Sequence, residues 1–170
     1  LGIFAFAVWM RMQFIAIFGG TEEYLLWAMK NYYGGITPGY LNLARDILEK
    51  GTYASLAYPP GYPLLIAAFN AIGIVDPQQL RLAQIVIDST GILAFFISLR
   101  AAHAERSIAL VGAFFYATYP LFAAGSTFIL AESLLPALML WCMVALVWAA
   151  QSSKAIAWGF AGFLIGTAGL

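Results

Sequence analysis

The length of its apolar segments constrains this chain more than any other feature. Residues 134–150 contain no charged side chain, and only 9% of the whole sequence is charged, against roughly 25% in soluble domains. In lipid, every backbone polar group must be bonded within helices or closed barrels. The apolar segments lack the strict alternation of a barrel strand. The sequence therefore predicts an all-α, polytopic transmembrane bundle.

Four segments approach the length of about 20 residues that a membrane-spanning helix needs. They are residues 1–18, 82–99, 108–124 and 134–150, and a fifth begins within residues 155–170. Residues 64–74 are too short to cross and favour an interfacial or re-entrant helix. We interpret residues 1–170 as the N-terminal part of a longer transmembrane domain.

Short basic loops indicate which side of the membrane each span faces. Arg100, His103 and Arg106 lie between two spans, and Lys154 lies between the next two. Basic residues in short loops favour the cytoplasmic side. Residues 19–76 then form one long extracytoplasmic loop, provided that residues 64–74 do not cross. We expect a multi-pass protein of a cell membrane, such as the bacterial inner membrane.

The long loop is predicted to carry juxtamembrane helices. Thr37 and Pro38 combine a capping hydroxyl with a proline at the first helical position, and Gly51 offers a left-handed C-terminal cap. Apolar residues recur at helical spacing between them, which indicates an amphipathic helix on the membrane surface. Residues 21–33 are expected to form a similar helix.

Two motifs carry a family resemblance. Residues 40–53 read YLNLARDILEKGTY and residues 58–67 read YPPGYPLLIA. They resemble the first extracytoplasmic loop of GT-C membrane glycosyltransferases, in the branch of the protein mannosyltransferases and bacterial aminoarabinose transferases. Tyr119-Pro120 and Ala131-Glu132-Ser133 follow in that family's order. The resemblance implies an inverting transferase that moves a sugar from a polyprenyl-phosphate donor to a lipid, glycan or protein acceptor on the extracytoplasmic face.

The implied chemistry needs a carboxylate to take a proton from the acceptor hydroxyl and a cation to neutralise the departing phosphate. The family's acid precedes the position of Tyr40, but residues 34–39 contain no carboxylate. The nearest upstream acids are Glu22 and Glu23, and Glu132 falls near a second acidic position. These three glutamates are the catalytic candidates. Their alternative role is to stabilise helix N-termini.

The substrate-binding candidates are Tyr40, Arg45, Tyr58, Tyr62 and Arg81. Arg45 is the first candidate for the donor phosphate, because a guanidinium group matches phosphate geometry with two hydrogen bonds. Its alternative is an ordinary place on the solvated side of an amphipathic helix.

Asp88 lies inside a predicted span, where a carboxylate costs roughly 2.5–3.5 kcal/mol on insertion scales. It is spaced i+4 from Gln84 and i+7 from Arg81, so the three share one helix face. An intramembrane acid is a functional candidate, or it makes an interhelical hydrogen bond. A transporter or flippase that uses Asp88 is therefore one alternative function, and a catalytically inactive lipid-binding family member is another.

Metal and nucleic-acid chemistry receive little support. One histidine and one cysteine cannot form a zinc site. Glu22, Glu23 and Glu132 would hold a divalent cation such as Mg²⁺ or Mn²⁺ only if they converge. The net charge of zero gives no indication of nucleic-acid binding.

Overall fold

A computed structural model of the chain describes residues 1–18, 36–55, 57–152 and 154–168, and its regular secondary structure in these ranges is entirely helical. The helices are α1 (Gly2–Phe18), α2 (Ile36–Lys50), α3 (Gly61–Ala71), α4 (Pro77–Ala101), α5 (Arg106–Thr118), α6 (Pro120–Gly125), α7 (Ala131–Ser152) and α8 (Ala155–Ala168). The predicted all-α fold class is confirmed. The helix expected over residues 21–33 lies outside the described residues, as do Glu22 and Glu23.

The described surface of the bundle is largely apolar. Among the described helices, α4 and α7 are long and apolar enough to cross a membrane, and α1, α3, α5 and α8 are apolar but shorter. Large apolar side chains face outward, with Phe115 67%, Phe163 66% and Ile156 76% exposed. Apolar surface of this extent marks contact with lipid or another protein.

Helix α4 is the centre of the bundle and contacts α1, α5 and α7. Small residues let these helices approach closely, which favours packing where lipid supplies no hydrophobic driving force. Ala7, Ala113 and Ala117 pack with Ile92 in one buried cluster. At Gly91 an added Cβ would lie 2.8 Å from the Cα of Ala137 in α7, so only glycine permits this approach.

Helices α2 and α3 pack against each other beside the bundle. The predicted amphipathic helix is confirmed as α2, and Gly51 follows it with a φ of +63°, the left-handed conformation of a helix C-cap. The short apolar helix is also present as α3. Thr37 lies inside the first turn of α2 rather than before it, and its hydroxyl donates to Ile129 O.

The prediction of one uninterrupted helix over residues 108–124 is wrong, because the structure divides this segment into α5 and α6. The break falls at Tyr119, whose ψ of 116° is extended. Pro120 follows as the first residue of α6. A proline disfavours helical backbone in the residue before it, and this steric rule ends α5 at Thr118.

Candidate functional site

The loop between α6 and α7 is fixed by side chains of α4. We call this loop together with Gly125, the last residue of α6, the clamped loop (residues 125–130). Arg81 Nε donates to Thr127 O at 2.6 Å. Gln84 Nε2 donates to Ser126 O at 3.2 Å and to Phe128 O at 2.6 Å. Buried carbonyl groups need such partners, and both donors are themselves buried.

Two hydroxyl groups complete the clamp from other directions. Ser133 Oγ, in the first turn of α7, lies 2.8 Å from Gly125 O and 2.9 Å from Phe128 O. Thr37 Oγ1, at the start of α2, donates to Ile129 O at 3.1 Å. Every carbonyl from residue 125 to residue 129 therefore accepts a hydrogen bond from a side chain.

Glu132 follows the clamped loop as the second residue of α7 and borders two cavities. The tyrosine cavity, of about 490 Å³, lies between α3, α7 and α8 and includes Tyr40 and Tyr62 in its wall. The Asp88 cavity, of about 380 Å³, lies between α4, α6 and α7 and reaches Asp88. The Glu132 side chain is exposed, so its carboxylate is available to a ligand in either cavity.

Three tyrosines form one aromatic group beside Glu132. The ring of Tyr40 lies 5.0 Å from that of Tyr58 and 4.9 Å from that of Tyr62, measured between centroids. Burial raises the pKa of Tyr40, and the negative charge of Glu132 raises it further. Burial also raises the pKa of Tyr62, and its electrostatic interactions with Tyr40 and Glu132 raise it further. Both phenols therefore stay protonated at neutral pH and are able to donate hydrogen bonds.

The structure brings some of the candidates together and separates others. Tyr40, Tyr62 and Glu132 line the tyrosine cavity, and Tyr58 packs against Tyr40. Arg81 is only 1% exposed, and its guanidinium group donates a hydrogen bond to the clamped loop. Arg45 lies on the exposed side of α2. Its role and that of Arg81 in binding substrate stay predictions.

Arg11 is a charged residue that sequence reasoning missed. Its Nε donates to Asp88 Oδ2 at 2.6 Å, and the two side chains are 0% and 2% exposed. The interpretation of Asp88 as an interhelical bonding group is thus confirmed. The signal was available, because each residue is the only charge in its predicted span and intramembrane charges pair with one another.

Within the described part of the chain, no three His, Cys, Asp or Glu side chains form a group suited to a metal ion. Glu22 and Glu23 lie outside that part, so a divalent cation shared by the three glutamates stays a prediction.

Comparison with known proteins agrees with this architecture. The family model of dolichyl-phosphate-mannose-protein mannosyltransferases matches residues 57–170. This range includes α3, the clamped loop and Glu132, and it covers more than half of the chain. The match confirms the resemblance to GT-C membrane glycosyltransferases. No curated protein and no solved structure matches the chain.

Proposed function

We propose that the chain, which belongs to the dolichyl-phosphate-mannose-protein mannosyltransferase family, transfers a sugar from a polyprenyl-phosphate carrier to an acceptor hydroxyl. Membrane glycosyl transfer is the general activity of this family. The finer proposal adds the lipid-phosphate donor, an extracytoplasmic site and inversion at the sugar carbon. Glu132 and one of Glu22 and Glu23 are the proposed acids of the site.

The position of Glu132 between two cavities carries this proposal. A transferase must bring two different substrates to one set of reacting groups. The tyrosine cavity and the Asp88 cavity, about 490 and 380 Å³, both have the size of small-molecule sites. Their walls are mainly apolar, with Glu132 as a carboxylate common to both. This arrangement suits lipid-linked substrates whose polar ends meet at one acid.

The bond between Thr37 and Ile129 joins α2 to the part of the chain that carries Glu132. It places the start of α2 against the clamped loop that leads to Glu132. Glu22 and Glu23 lie outside the described residues, and their presence in the same site is part of the proposal.

The proposed chemistry is a single displacement. A glutamate carboxylate takes the proton of the acceptor hydroxyl, whose oxygen forms a bond to the anomeric carbon. The bond from that carbon to the phosphate oxygen breaks on the opposite face, which inverts the configuration. Arg45 is the proposed cation for the departing phosphate. Tyr40 is proposed to donate a hydrogen bond to a sugar oxygen, and Tyr62 to line the sugar site with its ring, because its single O–H donates to Gln84 Oε1.

The ends of α7 support the proposed orientation. Glu132 is at its beginning, and Lys154 follows its end. Lys154 and the basic turn that contains Arg100 and Arg106 are proposed to face the cytoplasm. Glu132 would then lie at the extracytoplasmic side, in a multi-pass protein of a cell membrane such as the bacterial inner membrane.

Substitution of single glutamates tests the proposal in the membrane-reconstituted protein with polyprenyl-phosphate sugars. We expect Glu132→Gln, and one of Glu22→Gln and Glu23→Gln, to lower kcat by about 10²–10⁴-fold, the usual contribution of a positioned acid or base. Glu49→Gln, on the exposed side of α2, is the matched control and should transfer normally. Normal transfer by Glu132→Gln would contradict its role. Absence of transfer by the wild-type protein, with donor lipid still bound, would favour the inactive lipid-binding alternative.

A further inference from the structure

Gln84 is the one described side chain that bonds both to the wall of the tyrosine cavity and to the clamped loop. Its Oε1 accepts from the hydroxyl of Tyr62 in α3. Its Nε2 donates to Ser126 O and Phe128 O in the clamped loop. The side chain is 4% exposed, so water does not compete for these bonds.

The orientation of the Gln84 amide follows from its partners. The two carbonyl oxygens of the loop accept but cannot donate, so the group that faces them must be the NH₂. A flipped amide would place Oε1 against both carbonyls. Among uncharged side chains, only an amide of this length supplies an acceptor for Tyr62 and two donors for the loop at once.

We propose that Gln84 is a positioning residue that couples the tyrosine cavity to Glu132. A ligand that shifts Tyr62 changes the hydrogen bond to Gln84 Oε1, and the same amide fixes the carbonyls just before Glu132. The coupling works in both directions, since a linkage between two sites is reciprocal. The expected change in sugar transfer rests on the proposed role of Glu132. The expected change in the clamped loop does not depend on that role.

The clamped loop keeps several hydrogen bonds when Gln84 is replaced, so the effect of Gln84 can be measured in a folded protein. Arg81, Ser133 and Thr37 hold Thr127, Gly125 and Ile129 without involving Gln84. Loss of Gln84 therefore leaves the carbonyl of Ser126 without its side-chain donor and that of Phe128 with Ser133 Oγ alone within reach, while the rest of the loop stays attached.

The structural arm of the test measures access to the loop. Leu130→Cys, in a Cys142→Ala background, would be labelled with a water-soluble maleimide in the reconstituted protein. We expect Gln84→Leu to raise the labelling rate about tenfold, the effect of losing roughly one net hydrogen bond. Tyr62→Phe, which keeps the ring and removes only the hydroxyl, should raise it less. Gln79→Leu is the matched control, because Gln79 is an exposed residue of the same helix.

The kinetic arm measures transfer by the same variants. Gln84→Leu should lower kcat about tenfold and change the KM for donor less than twofold. The double variant Tyr62→Phe/Gln84→Leu should be no slower than Gln84→Leu, since the hydroxyl acts through the amide. Additive losses in the double variant would overturn the coupling.

The two arms separate failure of this inference from failure of the proposed function. If the wild-type protein transfers no sugar but Gln84→Leu and Tyr62→Phe still expose Leu130→Cys, the coupling stands and the proposed function fails. Unchanged labelling in both variants overturns the coupling, whatever their activity. If Gln84→Leu does not fold, Tyr62→Phe alone decides, because unchanged labelling in that variant contradicts the inference.

Discussion

Replacing Arg11 and replacing Asp88, the two partners of a buried ion pair, should have different effects on the stability of the protein. Both side chains are buried between α1 and α4, with Nε and Oδ2 2.6 Å apart. Removing one partner of a buried pair costs roughly 3–5 kcal/mol, because the other charge is left uncompensated. A carboxylate can avoid this cost by taking up a proton, whereas arginine stays charged at any ordinary pH.

This difference sets a limit on the cost of Arg11→Met. Protonating an ordinary Asp carboxyl, with a pKa in water of about 3.9, costs about 4 kcal/mol at pH 7 and about 1.5 kcal/mol at pH 5. We therefore expect Arg11→Met to lose at most about 4 kcal/mol of unfolding free energy at pH 7 and at most about 1.5 kcal/mol at pH 5. Asp88→Leu should lose roughly 3–5 kcal/mol at both pH values. The double variant should be close to the wild-type protein, since no buried charge remains.

Unfolding of the reconstituted protein by SDS titration, followed by tryptophan fluorescence at pH 5 and pH 7, measures these differences. Lys50→Met is the matched control. It breaks the exposed pair with Asp46, whose side chains are 63% and 39% exposed, and such pairs contribute only about 0.3–0.5 kcal/mol. The reasoning is refuted if Arg11→Met loses the same unfolding free energy at pH 5 and at pH 7. It is also refuted if the double variant is less stable than both single variants.

Two further predictions concern α4 and the tyrosine group. Gly91→Ala should lower the unfolding free energy by about 1–3 kcal/mol, because its Cβ would lie 2.8 Å from the Cα of Ala137; Gly162→Ala, with open space around the added Cβ, is the control in the same SDS titration, and equal effects would contradict the close contact. Since the pKa of Tyr40 is raised above its usual 10.0, its contribution to stability is full below about pH 10 and is lost as the pH rises through the folded-state value. Tyr40→Phe should therefore show a smaller fall in stability above pH 10 than the wild-type protein, and an identical fall in both proteins would contradict this assignment.

Local sequence patterns predicted most of the described helices, but not the division of residues 108–124 into α5 and α6. Gly51 ends α2 because the backbone there needs a positive φ. The helical spacing of apolar residues identified the buried face of α2, but not that this face packs on α3. The Tyr-Pro-Pro-Gly-Tyr-Pro motif indicated the family, and the match over residues 57–170 confirms it. The break at Tyr119 was also readable, because it follows from the steric effect of Pro120 alone.

The bonds of the site could not be read in the same way. Helical spacing placed Gln84 and Asp88 on one face of α4, but periodicity does not reveal which groups that face will meet. The pairing of Asp88 with Arg11 was readable from their charges, but the partners of Gln84 are the backbone carbonyls of Ser126 and Phe128, 42 and 44 residues away in the sequence. These contacts depend on how α1 and the clamped loop pack on α4, and packing is a property of the whole bundle.

One face of α4 connects these contacts to the proposed chemistry. From its N-terminal end, Arg81 and Gln84 hold the clamped loop, Asp88 bonds to α1, and Gly91 admits α7. Glu132 lies where the clamped loop joins α7. Helix α4 holds the loop before Glu132 through hydrogen bonds and packs against α7 after it, so α4 fixes the position of Glu132. Sites supported by rigid elements hold their geometry better than sites on free loops. Gln84→Leu and Gly91→Ala should therefore lower transfer through the position of Glu132, without removing a group proposed to contact substrate.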